Sequence, residues 1–181
     1  MSEHFLYTTP LDPRAKPLLD ELTVEYDSRY GDVLRAPGEP REMDRYPPEV
    51  FAPPHGNFVL LMRDGIAIGG GAFKRLDERT AELKRMWTNR TLRRQGLAGK
   101  VLRELEAQVV RQGYGRVYLT TGFRQPEAVA LYLGHGYTPL FSNDVAPDTP
   151  RKLPFEKQLV VQVSRVVPAR VAAAQAQTVA S

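Results

Sequence analysis

Apolar and charged side chains alternate along residues 80–88, where Ala81, Leu83 and Trp87 are interleaved with Glu82, Lys84 and Arg85. That two-residue period predicts a half-buried strand. The period then changes. Leu97, Val101, Leu105 and Val109 recur every fourth residue, which predicts an amphipathic helix over 97–112, and Gly113 follows as its stop. Nearer the amino terminus the same reading gives a short strand at 5–9. A helix over 17–30 comes next, with Leu18, Leu19, Leu22 and Tyr26 on one face and Gly31 behind it. Residues 57–62 and 66–73 read as a hairpin turning at Arg63-Asp64-Gly65, and Gly69-Gly70-Gly71 inside its second strand predicts a bulge or a close backbone approach.

Beyond the central helix the pattern predicts a strand at 116–121, a helix at 126–134, a strand at 137–141 and a last strand at 155–163. Residues 31–56 carry six prolines among charged side chains and read as a long surface loop. A loop that long inside a compact domain suggests service to a site. The strand, helix and strand over 80–121 form a βαβ unit, so those two strands should run parallel with a right-handed crossover. This order gives an α/β fold around a mixed central sheet. At 181 residues the chain should form one domain over 1–165, with the Ala/Gln-rich residues 166–181 as a frayed tail.

Composition narrows the chemistry. The chain contains no cysteine, which excludes disulfides, thiolate metal sites and a cysteine acyl-enzyme. A net charge of +4 suits an anionic ligand but is too mild to argue for nucleic acid, and neither aromatic-basic interleaving nor zinc spacing supports one. No apolar run approaches membrane length and the first residues lack a signal-peptide layout, so the expectation is a cytoplasmic protein with no membrane partner.

The strand-to-helix junction concentrates the candidate chemistry in Arg93, Arg94, Gln95, Gly96, Leu97, Ala98, Gly99 and Lys100. Small residues let a ligand approach the backbone, and the unpaired N–H groups of a helix start attract anions. As a charge run alone, the stretch would be an ordinary solvated loop. A Walker A loop would need Gly at 94 and Ser or Thr at 101, where this chain has Arg94 and Val101. The dinucleotide G-x-G-x-x-G spacing is absent as well.

The pattern that fits is Arg/Gln-x-x-Gly-x-Gly/Ala, met by Arg93, Gly96 and Ala98. Here the chain resembles the GCN5-related N-acetyltransferases (GNAT family), which cradle the pyrophosphate of acetyl-coenzyme A on such a turn. The resemblance extends over residues 57–141. It includes the preceding strand, a later strand at 117–122, a helix carrying Ala128, Leu131 and Tyr132, and the Gly136-Tyr137 pair. It implies a GNAT-like mixed sheet of about six to seven strands with about four flanking helices, whose splayed parallel strands form the acetyl-CoA cleft.

It also implies a division of labour among residues. Met86, Trp87 and Thr88 would hold the acyl-pantetheine arm through their backbones, and one of their N–H groups would meet the thioester oxygen. The Trp87 side chain reads as core. Tyr132 matches the tyrosine that often protonates the departing thiolate. Glu82 is the candidate base for the acceptor amine, with an ion pair to Lys84 or Arg85 as the equally weighted alternative. Arg29, Tyr30, Arg41 and Arg45 fall on the acceptor side, where an arginine could clamp a substrate carboxylate. His4, His55 and His135 lack ligand spacing and receive no role, and no metal is expected.

The reaction implied is acetyl transfer from acetyl-CoA to a primary amine of a small molecule, such as an amino acid or another carboxylated amine. Acetylation of a protein N-terminus or lysine, a non-catalytic acyl-CoA-binding module and a basic nucleic-acid binder are the alternatives, and a homodimer is compatible with the family.

Overall fold

The computed structural model describes residues 2–159. The expected tail, 166–181, and the end of the expected last strand, 160–163, lie outside the described residues. Seven strands form one mixed sheet in the order β1-β2-β3-β4-β5-β7-β6. They are β1 (Glu3–Thr8), β2 (Asn57–Arg63), β3 (Ile66–Arg75), β4 (Thr80–Thr88), β5 (Arg116–Gly122), β6 (Thr138–Pro139) and β7 (Lys152–Gln158). Three α-helices pack on the sheet: α1 (Lys16–Arg29), α2 (Leu97–Arg111) and α3 (Pro126–Gly134).

The predicted βαβ unit is present, with β4 and β5 parallel on either side of α2 in the chain. The three buried leucines and two valines of α2 supply its apolar face, and Gly113 leaves the helix at φ 94°. One core layer joins this face to β2–β5 and to Tyr132, Tyr137 and Phe155. The other layer lies across the sheet, where Leu18 and Leu22 of α1 meet Phe58, Leu60 and Trp87.

Several expectations need correction. Three α-helices are present among the described residues instead of about four, the additional helical turns being short 3-10 segments. Residues 31–56 are more than a surface loop. They hold 3-10 turns at Glu42–Asp44 and Pro48–Phe51, and Phe51 is only 1% exposed because it plugs the α1 layer. The expected strand at 137–141 shrinks to two residues, and β7 begins three residues earlier than its apolar pattern suggested. Its start is set by pairing, since Lys152 and Leu153 continue the ladder opposite Gly122 and Thr121.

Two local irregularities shape the sheet. On the β3–β4 ladder Gly70 faces Trp87 while Ala72 faces Lys84, so β4 spends one extra residue there. Arg85 takes up the extra length with φ 58°, and the strand bends at this bulge. The glycines opposite are required by packing. A Cβ on Gly70 would lie 2.7 Å from Leu18 Cδ1 of α1, and one on Gly71 would lie 2.8 Å from Leu105 Cδ1 of α2. The second consequence is a parting of strands. β5 pairs with β7 along its whole length, yet it pairs with β4 only at Thr80–Arg116, Ala81–Val117 and Glu82–Tyr118.

Candidate active site

Past Glu82 and Tyr118 the facing edges of β4 and β5 carry backbone groups that the sheet does not pair. A cavity of about 850 Å³ opens there. It is within the range of small-molecule and cofactor sites. Leu83–Thr88 of β4 and Leu119–Gly122 of β5 form its two long walls. The end of α1, residues 34–45 and α3 close the sides.

The start of α2 forms one end of this cavity. Arg93, Arg94, Gly96, Leu97, Ala98 and Gly99 all line it. Gly96 caps the helix at φ 72°, and Lys100 N–H is the first to close onto its carbonyl. The N–H groups of Leu97, Ala98 and Gly99 therefore begin the helix without intrahelical acceptors. Arg94 also sits at φ 64°, a conformation that costs a non-glycine residue of order 1–3 kcal/mol. A turn with left-handed backbone at Arg94 and Gly96, leading into free N–H groups, makes a concave anion receptor.

Gln95 and Lys100, expected in the same receptor, point elsewhere. Lys100 Nζ lies 2.7 Å from Glu3 Oε2 of β1, and Arg63 of β2 contacts both Glu3 and the Gln95 amide. These two residues tie the receptor to the sheet edge and do not line the cavity. The charge pattern could not reveal this, because the partners are distant in the chain, Glu3 lying 97 residues from Lys100 and Arg63 lying 32 from Gln95.

The expected acid and the expected base fare differently. Tyr132 lines the cavity, is 5% exposed and packs against Tyr137 and Phe155 with ring centroids 5.5 and 5.6 Å away. Burial pushes its phenol above the ordinary value, so it remains a neutral O–H donor at all working pH values. Glu82 does not line the cavity. Its two carboxylate oxygens lie 2.9 Å from Lys74 Nζ and 3.2 Å from Lys84 Nζ, the ion-paired arrangement that was the alternative to a base. Alternation places Glu82 on a face of β4 correctly but cannot say which lysines share that face.

Lys84 is in the wall, and it is not a base either. Burial alone would lower its ammonium, but Glu42 and Glu82 more than offset that and hold it above its ordinary value. Met86, Trp87 and Thr88 line the cavity as expected. The Trp87 indole lies in the α1 layer and donates to Glu21 Oε2 at 2.8 Å.

On the acceptor side, Arg29, Tyr30, Arg41 and Arg45 all reach the cavity. Each arginine is already matched by acid. Arg29 bridges Glu25 and Glu127 at 2.8 and 2.5 Å, Arg41 holds Asp44 at 2.8 Å, and Arg45 holds Glu39 at 3.1 Å. The Tyr30 phenol is buried without a hydrogen-bond partner, pressed against Gly122 at the tip of β5, and burial pushes it up to about 12.

Sequence reasoning also missed several wall residues. Thr121, Gln125, Arg103 and His135 all line the cavity. The Gln125 side-chain oxygen accepts from Thr121 Oγ1 and from the Gly122 N–H. His135 follows the last residue of α3. Its Nδ1 contacts the Leu131 carbonyl, and its ring packs against Gly99, where a Cβ would come within 2.9 Å of Nε2. That contact couples α3 to the anion receptor.

Comparison with known proteins decides the family. A model of the acetyltransferase (GNAT) family matches residues 18–137, which span every wall of the cavity except Lys152. The chain belongs to the GNAT acetyltransferase family. No curated protein sequence matches it significantly. Among solved structures, a Staphylococcus aureus GNAT acetyltransferase superposes with a TM-score of 0.68 at 16% identity, covering 88% of this chain and 100% of its own. A Klebsiella pneumoniae protein named as an acyl-CoA N-acyltransferase gives 0.67 at 23% identity, covering 87% and 98%. An Elizabethkingia anophelis GNAT acetyltransferase, solved with acetyl-CoA bound, gives 0.57 at 16% identity, covering 87% and 98%. These likenesses establish a GNAT fold for the chain.

Proposed function

We propose that this protein transfers the acetyl group of acetyl-CoA to a primary amine of a small molecule by direct attack on the thioester. The observation that carries the reading is the parting of β4 and β5 beyond Glu82 and Tyr118, with the anion receptor of α2 and the Tyr132 phenol opening into the same cavity. Arg93, Arg94 and the N–H groups of residues 97–99 would hold the donor's pyrophosphate. The free edge of residues 86–88 would take its amide arm as a strand takes a neighbour, and an N–H there would meet the charge that develops on the thioester oxygen.

Tyr132 serves the collapse of the tetrahedral intermediate. An ordinary phenol giving its proton to an ordinary thiolate is uphill by about 2 kcal/mol. Burial raises the phenol further, and the same apolar surroundings raise the thiol, so the two shifts partly offset. The acceptor must arrive neutral. With Glu82 and Lys84 both in ion pairs, its proton is best lost to solvent, which costs about 1 kcal/mol at pH 7 for a peptide N-terminal α-amine and rises to about 4–5 kcal/mol for an alkyl amine.

Release of coenzyme A from acetyl-CoA, followed with a panel of small amines, tests the reading. Amine-dependent release is the expected result. Binding of acetyl-CoA without release to any small amine, peptide N-terminus or lysine peptide would make the protein a non-catalytic module.

A further inference from the structure

Among the cations of the cavity wall, Arg85 stands apart. Arg29, Arg35, Arg41, Arg45, Lys84 and Arg93 each contact a carboxylate, and Arg94, Arg103 and Lys152 are exposed to water. Arg85 is only 8% exposed, and among the described residues no carboxylate lies within ion-pairing distance of it. Glu42 and Asp44 are the nearest acids to influence it; the first is engaged by Lys84 and the second by Arg41. The Arg85 guanidinium rests over the Phe51 ring at 4.6 Å and makes one hydrogen bond, from Nη2 to the Met43 carbonyl at 3.2 Å. A guanidinium has five N–H donors in a planar fork. No Arg85 nitrogen is sealed away without a partner, so the donors left over are open to the cavity and available to an anion.

Its placement is as specific as its chemistry. Arg85 is the bulged residue of β4, in a left-handed conformation, and it immediately precedes the Met86–Thr88 edge. The packing of Phe51 beneath it fixes the fork's plane.

Resting on the acetyltransferase reading above, we propose that Arg85 binds the carboxylate of the acceptor, and that the acceptor is an α-amino acid. The fork accepts a carboxylate through two parallel hydrogen bonds. In an α-amino acid the amine is attached one carbon away from that carboxylate, so anchoring the carboxylate beside Met86 delivers the amine to the edge assigned to the acyl group. Arg85 takes the role that the sequence offered to Arg29, Arg41 and Arg45.

The test uses free L-amino acids and their α-carboxamides as acceptors for the wild-type protein, Arg85→Gln and Arg85→Lys, with coenzyme A release as the readout. The wild type should prefer acid over amide by about 10-fold or more in kcat/KM. Arg85→Gln should erase that preference by raising KM for the acids, while activity on the amides and thermal stabilisation by acetyl-CoA persist. Arg85→Lys should fall between the two, and it remains decisive if Arg85→Gln does not fold. A preference that survives both substitutions, or wild-type turnover of amides or polyamines equal to that of amino acids, overturns the Arg85 assignment and leaves the acetyltransferase reading standing. Absence of transfer to any amine defeats both.

Discussion

Tyr132 and Glu82 were the two catalytic candidates of the sequence, and their surroundings separate them. Tyr132 is the buried residue of α3, with Ala128, Val129 and Leu131 half-buried beside it, and the family motif adds that inside means the cavity. For Glu82, the alternation of β4 gave a face and nothing more; Lys74 of β3 and Lys84 of β4 decide what the carboxylate does. Replacing Tyr132 with Phe should lower kcat about 100-fold with the Kd for acetyl-CoA nearly unchanged, measured by steady-state kinetics and calorimetry. Because the phenol's value is raised, it stays protonated above pH 10 and imposes no alkaline fall in rate. With each carboxylate of the cavity wall, among the described residues, held in an ion pair, kcat/KM should rise with pH along the acceptor amine's own titration and then level off. A fall below pH 10 would contradict that. The Tyr30 phenol offers a matching stability test. Its folded value near 12 exceeds the unfolded value of ~10, so the fold favours the neutral form and this contribution is intact below pH 10. It is lost as pH rises from 10 to 12, and Tyr30→Phe should flatten the alkaline decline in denaturation midpoint.

At the scale of elements, α2 and α3 were the most legible. The four-residue repeat from Leu97 to Val109 has one physical solution, and Pro126 with the Gly136-Tyr137 pair brackets α3. Elements fixed by distant partners were harder to read. The start of β7 depends on the β5 ladder, β6 survives as two residues, and the proline-rich span folds inward because Phe51 finds a place beneath Arg85. The bulge at Arg85 was signalled from the opposite strand, by the three glycines, since no glycine marks β4 itself. Two substitutions probe these elements. Ala98→Glu puts a carboxylate into the anion receptor and should weaken acetyl-CoA binding by 10-fold or more with little change in Tm. Gly70→Val forces a side chain into Leu18 and the Val59 carbonyl and should cost about 1–3 kcal/mol, read as a lower denaturation midpoint.

For the molecule as a whole, the decisive arrangement is a sheet held together at both ends and open in the middle. β1–β4 form an antiparallel run, and β5, β7 and β6 form another. Three pairs of residues join the two halves. The α2 layer bridges them from one face, which leaves the parted edges available to a ligand with its own amide groups. A ligand at 100 times its Kd stabilises by about 2.7 kcal/mol, so acetyl-CoA should raise Tm by several degrees. The most direct measurement is amide hydrogen exchange followed by mass spectrometry, with and without acetyl-CoA. Slowed exchange concentrated in residues 86–88 and 96–99 is the predicted result. Unchanged exchange in those two segments at saturating acetyl-CoA would contradict the account.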